Sequence, residues 1–233
     1  MSAPPPPSVN VVIPVHDGAA YLGAAIDSVL AQEGGAPGRI IVVDDGSTDD
    51  SAAVAAAYGP PVTLIRQARS GAAAARNRGI AASDATLLAF LDADDLWPPD
   101  SLRCRLAALA ADPELDAVFG LVEQFLCDRL AADRRARLHC PPGRQPGYLI
   151  SAMLAKASAF RRFGRLDASL GVADFIAWFG AARAEGLAST VIDALVLRRR
   201  LHGANLGLAR RDLRPEYLRV VRAALRRKDG RPG

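Results

Sequence analysis

Residues 9–32, VNVVIPVHDGAAYLGAAIDSVLAQ, begin with a short run rich in β-branched side chains and break at a polar turn. They continue with Leu22, Ile26, Val29 and Leu30 spaced along one helical face. That is a strand, a loop and a helix. The unit returns at RIIVVDD (39–45) followed by GSTDDSAAVAAAY, where Ser47 or Thr48 is the expected N-cap. It returns again at VTLIRQ (62–67) followed by SGAAAARNRGIAAS (70–83), and TLLAFLD (86–92) reads as a fourth strand. Strands alternating with helices of this length predict an α/β fold in one domain, a central, mostly parallel sheet flanked by helices. In such sheets ligands bind outside the carboxyl ends of the strands. The polar endings VHD, DDGS and DADD all fall there, so three turns are expected to converge on one crevice.

The last of these endings carries the heaviest charge. FLDADDLWPPD (90–100) puts Asp92, Asp94 and Asp95 directly after an apolar run. Like charges gathered at a strand end require a cation. Further along, PDSLRCRLAALAADP (99–113) reads as a helix and DAVFGLVEQFL (116–126) as a strand. Residues 127–147 read as a surface loop long enough to be functional. GYLISAMLAKASAFRRFG (147–164) is expected to be a helix, or a helix and turn; FIAWFGAARAEGL (175–187) a helix; and STVIDALVLRRR (189–200) a late strand.

Composition narrows the function classes. The chain has 233 residues, 50% of them hydrophobic and 23% charged, as expected of one domain with a sizeable core. No window approaches the roughly 20 apolar residues of a membrane helix. The proline-rich start, residues 1–8, lacks the basic flank and apolar core of a secretory signal and is expected to be a disordered tail. Cys104, Cys127 and Cys140 are odd in number and far apart, which argues against a disulfide framework or a zinc knuckle and for a reducing cytoplasm. Net charge is +4, but from Arg198 onward twelve Lys and Arg face only Asp212, Glu216 and Asp229. No aromatic platform accompanies these arginines, so nucleic acid is not expected as a partner. Residues 206–233 read as a basic amphipathic helix or tail. Docking on the domain is favoured by its narrow apolar stripe without Trp or Phe; the other reading is peripheral contact with the inner face of an anionic membrane.

The first turn is PVHDGAAYL rather than GxGxxG, and no GxxxxGK[ST] occurs, so neither dinucleotide nor P-loop chemistry is indicated. The crevice offers carboxylates instead. Hard oxygen ligands suit Mn²⁺ or Mg²⁺, and Mg²⁺ is typically held by one or two carboxylates plus substrate phosphates. A nucleoside diphosphate bridged to the protein by such an ion fits the pattern, and the ion supplies the expected cation.

VVIPVHDGAAYLGAAIDSVLAQ, IIVVDDGSTDDS, GAAAARNRGIAAS and FLDADDLWPPDSL resemble, in order and spacing, the successive signatures of the family 2 glycosyltransferases. ADFIAWFGAARAEGL and RRRLHGAN resemble, more weakly, the family's acceptor-side helix and its Arg-x-His-x-x-Asn ending. The resemblance implies a GT-A nucleotide-sugar fold over residues 9–205, with a nucleotide-binding half at 9–103 and an acceptor-side half at 104–205. It implies that Pro14, Val15, His16 and Asp17 contact the nucleoside, that Asp44 or Asp45 recognises the base, and that Arg76 lies near the nucleotide. Asp92 and Asp94 would face the ribose and the metal, Asp94 as the first choice of ligand, and His202 would approach the metal or the diphosphate. The donor implied is a nucleoside-diphosphate sugar, a UDP-sugar foremost; the acceptor is not indicated.

Each of these residues also has a purely structural reading. Asp44 and Asp45 could cap a turn, Arg76 and Arg78 could lie on a solvated helix face, and His202 could be structural. Cys104 is expected to be inert, and Trp97 and Trp178 to be packing residues. One departure from the family pattern stands out. The acceptor-side helix usually opens with paired acids or has an Asp just before a Trp, whereas here Ala177 precedes Trp178 and Asp174 is the only nearby candidate for general base. The leading expectation is an inverting, metal-dependent glycosyltransferase. A catalytically weakened nucleotide-sugar-binding protein and a nucleotidyltransferase are the alternatives, the latter disfavoured because no Gly-rich basic loop follows the first strand.

Overall fold

The structure, a computed structural model, describes residues 8–35, 37–171 and 173–202. The expected tail at 1–7 and the basic segment at 206–233 lie outside the described residues. Ser8, assigned to the tail by sequence, is held instead: its carbonyl accepts from the Leu87 amide at 3.0 Å.

Four strands, β1 (Val9–Val15), β2 (Arg39–Asp45), β3 (Val62–Gln67) and β4 (Leu87–Phe90), run parallel in the order β3-β2-β1-β4. β1 is buried along its whole length. That is why its sequence reads as an unbroken apolar run rather than as an alternation. Val9, Val11, Ile13 and Val15 pack with α1 (Ala19–Leu30), α2 (Ser51–Ala56) and α4 (Ser101–Ala111) on one face. Val12 packs on the other face with α3 (Ala72–Ala82), α6 (Ala157–Arg162) and α7 (Asp174–Ala184). The chain steps outward from β1 to β3 and then returns to β4 on the other side of β1. The ends of β1 and β4 therefore frame a topological switch point, where open sheets of this kind place their ligands.

The second half closes the sheet with antiparallel pairs. β5 (Ala117–Leu126) carries β7 (Leu154–Lys156) and β6 (Arg144–Pro146) on one edge and the long parallel β8 (Ser189–Leu201) on the other; β7 joins this group to β4. Two expectations need correction here. Residues 127–147 are not all loop, since α5 (Ala132–Arg137) and β6 lie within them. The segment 147–164 is not a continuous helix: a 3-10 turn at Ile150–Ala152 leads into β7, and only then does α6 begin. A strand of three residues has no period to read, and β7 exists because β4 and β5 each offer it an open edge. Ser47 and Thr48 do not cap α2 either. Asp50 holds the N-cap position without a side-chain bond. No helix among the described residues is long and apolar enough to cross a membrane.

One glycine sets the distance between α3 and the sheet. A Cβ on Gly79 would lie 2.3 Å from Val12 Cγ1 in the middle of β1. Alanine ordinarily improves a helix interior by about 1 kcal/mol over glycine. Gly79→Ala is nevertheless expected to destabilise the protein by about 1–3 kcal/mol, the cost of overpacking, because Val12 is fully buried and has nowhere to move. Urea unfolding measures this as a lowered midpoint at unchanged slope.

Candidate active site

The ends of β1 and β2 are laced together by short polar contacts. Val15 is the β-partner of Asp44, so the two turns leave the sheet side by side. His16 Nδ1 donates to the Asp45 carbonyl at 2.9 Å, which requires the proton on Nδ1. Asp17 sits at φ 48°, a left-handed conformation rare outside glycine. Its Oδ1 accepts from the Thr48 amide at 2.7 Å and hydroxyl at 3.2 Å, and the Ser47 hydroxyl accepts from its amide. These bonds hold Asp17 in that conformation and explain why Ser47 and Thr48 are unavailable to α2. Its carboxyl lies below the ordinary range, chiefly through the Thr48 amide.

Asp44 and Asp45 are both buried at the end of β2. Asp45 accepts from Gln67 Nε2 and from the amides of Ser70 and Gly71, each at 2.8 Å, and so ties the turn before α3 to β2. Asp44 accepts from the Ser47 amide and from Arg66 Nε at 3.2 Å. The Arg66 side chain is 68% exposed while that of Asp44 is fully buried, so opening the pair calls for another donor to take the place of Arg66. The expected nucleoside contacts thus differ: Asp45 is bonded wholly within its own fold, while Asp44 has one oxygen on its own turn and the other on an exposed arginine.

Arg76 joins regions far apart in the chain. It is buried on α3, not on a solvated face. Nη2 donates to Asp92 Oδ1 at 2.7 Å and Nη1 to Asp174 Oδ2 at 2.9 Å. Burial works against its charge, but Asp92 and Asp174 together hold its pKa above the ordinary arginine value. Its Nε is buried without a hydrogen-bond partner among the described residues. A buried donor of this kind is costly unless something accepts from it.

The three carboxylates at the end of β4 take three separate partners. Asp92 pairs with Arg76, and its amide donates to the Ser151 hydroxyl at 3.1 Å. Asp94 Oδ2 lies 2.8 Å from His202 Nε2, and its carbonyl accepts from Arg200 Nε at 2.9 Å. Asp95 is buried and accepts from the Arg200 amide at 2.9 Å. Burial, with Asp94 and Asp92 alongside, pushes its carboxyl well above the ordinary range. The cations that the sequence required are in part the protein's own, Arg76 and the β8 end.

Ser151, in the turn before β7, is a site residue that sequence reasoning misses. Its hydroxyl takes the Asp92 amide and its carbonyl takes Trp97 Nε1 at 3.2 Å, so one buried residue grips both ends of the carboxylate loop. Nothing in GYLISAM distinguishes this serine. Trp97 and Trp178 are packing residues as expected, each buried with its indole N–H on a carbonyl. The Cys104 thiol is pushed up by burial and by Asp100, which suits an inert thiol.

Among the described residues no group of three or more His, Cys, Asp or Glu is arranged to hold a metal ion. Asp94 and His202 nonetheless form a fitting pair. Nε2 donates to Asp94 Oδ2 in this geometry, and a metal ion would take the place of that proton, with the imidazole proton moved to Nδ1. A hard oxygen and an imidazole nitrogen suit Mn²⁺, the remaining ligands being phosphate oxygens and water.

The family model described as Glycosyl transferase family 2 matches residues 10–165. Solved structures of S. aureus TarS residues 1–349 share the fold. The UDP-GlcNAc complex aligns with a TM-score of 0.71 at 14% identity, covering 94% of this chain and 66% of that one. The UDP complex aligns at 0.67 and 15% identity, covering 94% and 65%. This chain thus spans just under two thirds of those fragments, and it covers 43% of the chain in the structure of TarS itself. At such identities the likeness carries the fold. No curated protein matches the sequence.

Proposed function

The chain belongs to glycosyl transferase family 2, and from that premise we propose that it moves a sugar from a nucleoside-diphosphate sugar to an acceptor hydroxyl by a single inverting displacement. The observation that carries this reading is the Arg76 bridge. One buried guanidinium binds Asp92 from the carboxylate loop and Asp174 from the first turn of α7, so the donor side and the acceptor side share one network. Arg76 occupies one oxygen of Asp174, which leaves Oδ1 to take the proton from the acceptor hydroxyl. The hydroxyl oxygen then attacks the anomeric carbon from the face opposite the diphosphate, and the bond to the diphosphate breaks with its electron pair leaving on the phosphate oxygen.

The nucleoside lies across the ends of β1 and β2, against Pro14, Val15, His16 and Asp17, with Asp44 reached when Arg66 swings away. Asp94 and His202, with Asp92 beside them, would hold Mn²⁺ or Mg²⁺, whose charge would offset the charge gathering on the leaving diphosphate. UDP is the favoured nucleotide, in keeping with the UDP and UDP-GlcNAc complexes of TarS. The free Cys104, Cys127 and Cys140 fit work in a reducing cytoplasm.

The test is release of nucleoside diphosphate from a panel of UDP-, GDP- and dTDP-sugars incubated with the full chain and Mn²⁺. Hydrolysis of one donor above the buffer rate, removed by EDTA, is expected. Failure of every donor both to bind and to react would overturn the reading.

A further inference from the structure

Tyr148 is one of two large apolar side chains in the described structure that are substantially exposed, at 53%. Its ring is not loose on the surface. It packs against Phe119 at 5.4 Å and Phe179 at 5.7 Å between centroids, and Phe179 stacks on Phe175, the residue after Asp174. An aromatic face is thus held by the helix that carries the proposed base. Beside it is a cavity of about 190 Å³, lined among others by Gln124, Gln145, Leu149 and Arg199. The sheet register explains this grouping. Gln145 of β6 is opposite Val122 of β5, and Arg199 of β8 is opposite Gln124. Opposed residues share a face of a sheet, as do residues two apart along a strand. None of the side-chain polar groups of Gln124, Gln145 and Arg199 has a hydrogen-bond partner among the described residues.

An aromatic face, two uncommitted primary amides and a guanidinium around a small cavity match the surface of a pyranose, whose C–H face is apolar and whose rim is hydroxyl. The size agrees, since a cavity of about 150 Å³ holds one benzene ring. The location decides which sugar. The nucleotide crevice is framed by β1, β2 and β4, whereas this cavity is framed by β5, β6 and β8. Leu149 lies two residues before Ser151, which grips the Asp92 amide, and the charge of Arg199 reaches Asp92 and Asp95.

The geometry points to an acceptor-sugar subsite in which Tyr148 stacks against a pyranose ring while Gln124, Gln145 and Arg199 bind its hydroxyls. The acceptor is therefore a carbohydrate or glycoconjugate. The assignment to the acceptor rests on the transferase reading; the binding of a pyranose does not.

The test is NMR of the full chain, following the side-chain amides of Gln124 and Gln145 during titration with methyl β-D-glucopyranoside, methyl N-acetyl-β-D-glucosaminide and methyl α-D-mannopyranoside. At least one glycoside is expected to shift both amides, with affinity about tenfold weaker in Tyr148→Ala and retained in Tyr148→Phe. Gln145→Ala, at an exposed position on β6, provides a second variant should Tyr148→Ala loosen the aromatic cluster, and it too should weaken binding. The titration is expected to persist when UDP saturates the protein. Shifts with none of the three glycosides, or equal affinity in Tyr148→Ala and Gln145→Ala, would overturn the subsite. Displacement of the glycoside by UDP-glucose or UDP-N-acetylglucosamine but not by UDP would assign the cavity to the donor sugar and overturn the acceptor reading. Glycoside binding by a protein that binds no nucleotide would leave the pyranose site standing and remove the transferase.

Discussion

Arg76→Met is expected to abolish transfer and to lower stability by about 3 kcal/mol, the lower end of the cost of removing one partner from a buried ion pair. Methionine fills much of the same volume, so the loss is electrostatic. Asp174 is left buried without its cation, its side chain only 8% exposed. Asp92 is 38% exposed, and water offsets part of its loss, which is why the lower end applies. The pH dependence gives an independent readout. Burial raises the Asp92 pKa, but Arg76 outweighs it and holds the carboxyl below its ordinary 3.8. A carboxyl with a lowered folded pKa contributes its stability fully above the unfolded value and loses it as the pH falls through the folded one. The wild-type protein should therefore keep this contribution until the pH drops below about 4, whereas Arg76→Met lacks it at every pH, so that this part of the acid limb is missing and the stability difference between the two shrinks as the pH falls. Urea unfolding between pH 3 and 7 measures both effects. An unchanged acid limb would mean that Arg76 does not govern Asp92.

Asp174→Asn separates chemistry from architecture. Asparagine keeps the shape and still offers a carbonyl oxygen to Arg76 Nη1, but it cannot take a proton from an acceptor hydroxyl. Transfer is expected to fall by about 10²-fold or more, while donor affinity stays within a small factor of wild type. A variant with full transfer would place the base elsewhere. Glu185, just beyond the last turn of α7, is too far along that helix to replace it.

Much of this arrangement is legible in the chain, and the reasons for the rest are physical. β1 to β4 can be read because each is a β-branched or leucine-rich run ended by polar turn residues, and α1 and α3 because a helical stretch follows each turn. β6 and β7 escape because three-residue strands are specified by the edges they pair with, which in β7 belong to β4 and β5. Asp92 and Asp174 both stand out in the sequence, and so does Arg76. That one guanidinium holds both cannot be read, since these residues are 16 and 98 positions from Arg76. The charge argument at FLDADDLWPPD calls for a cation without naming its source; Arg76 is one source, and a divalent ion at Asp94 and His202 would be a second. Ser151 and Tyr148 leave no signal because a lone serine and a lone tyrosine acquire their roles only from what the fold sets beside them.

Calorimetric titration of the full chain with UDP, with and without Mn²⁺, tests most directly whether the ends of β1, β2 and β4 bind a nucleoside diphosphate through a metal held by Asp94 and His202. Asp94→Asn is the control. UDP binding that strengthens at least tenfold with Mn²⁺, or about 1.4 kcal/mol, and loses that gain in Asp94→Asn while unfolding at the wild-type midpoint, is the predicted result. No UDP binding in either condition, or an equal Mn²⁺ gain in Asp94→Asn, would contradict it.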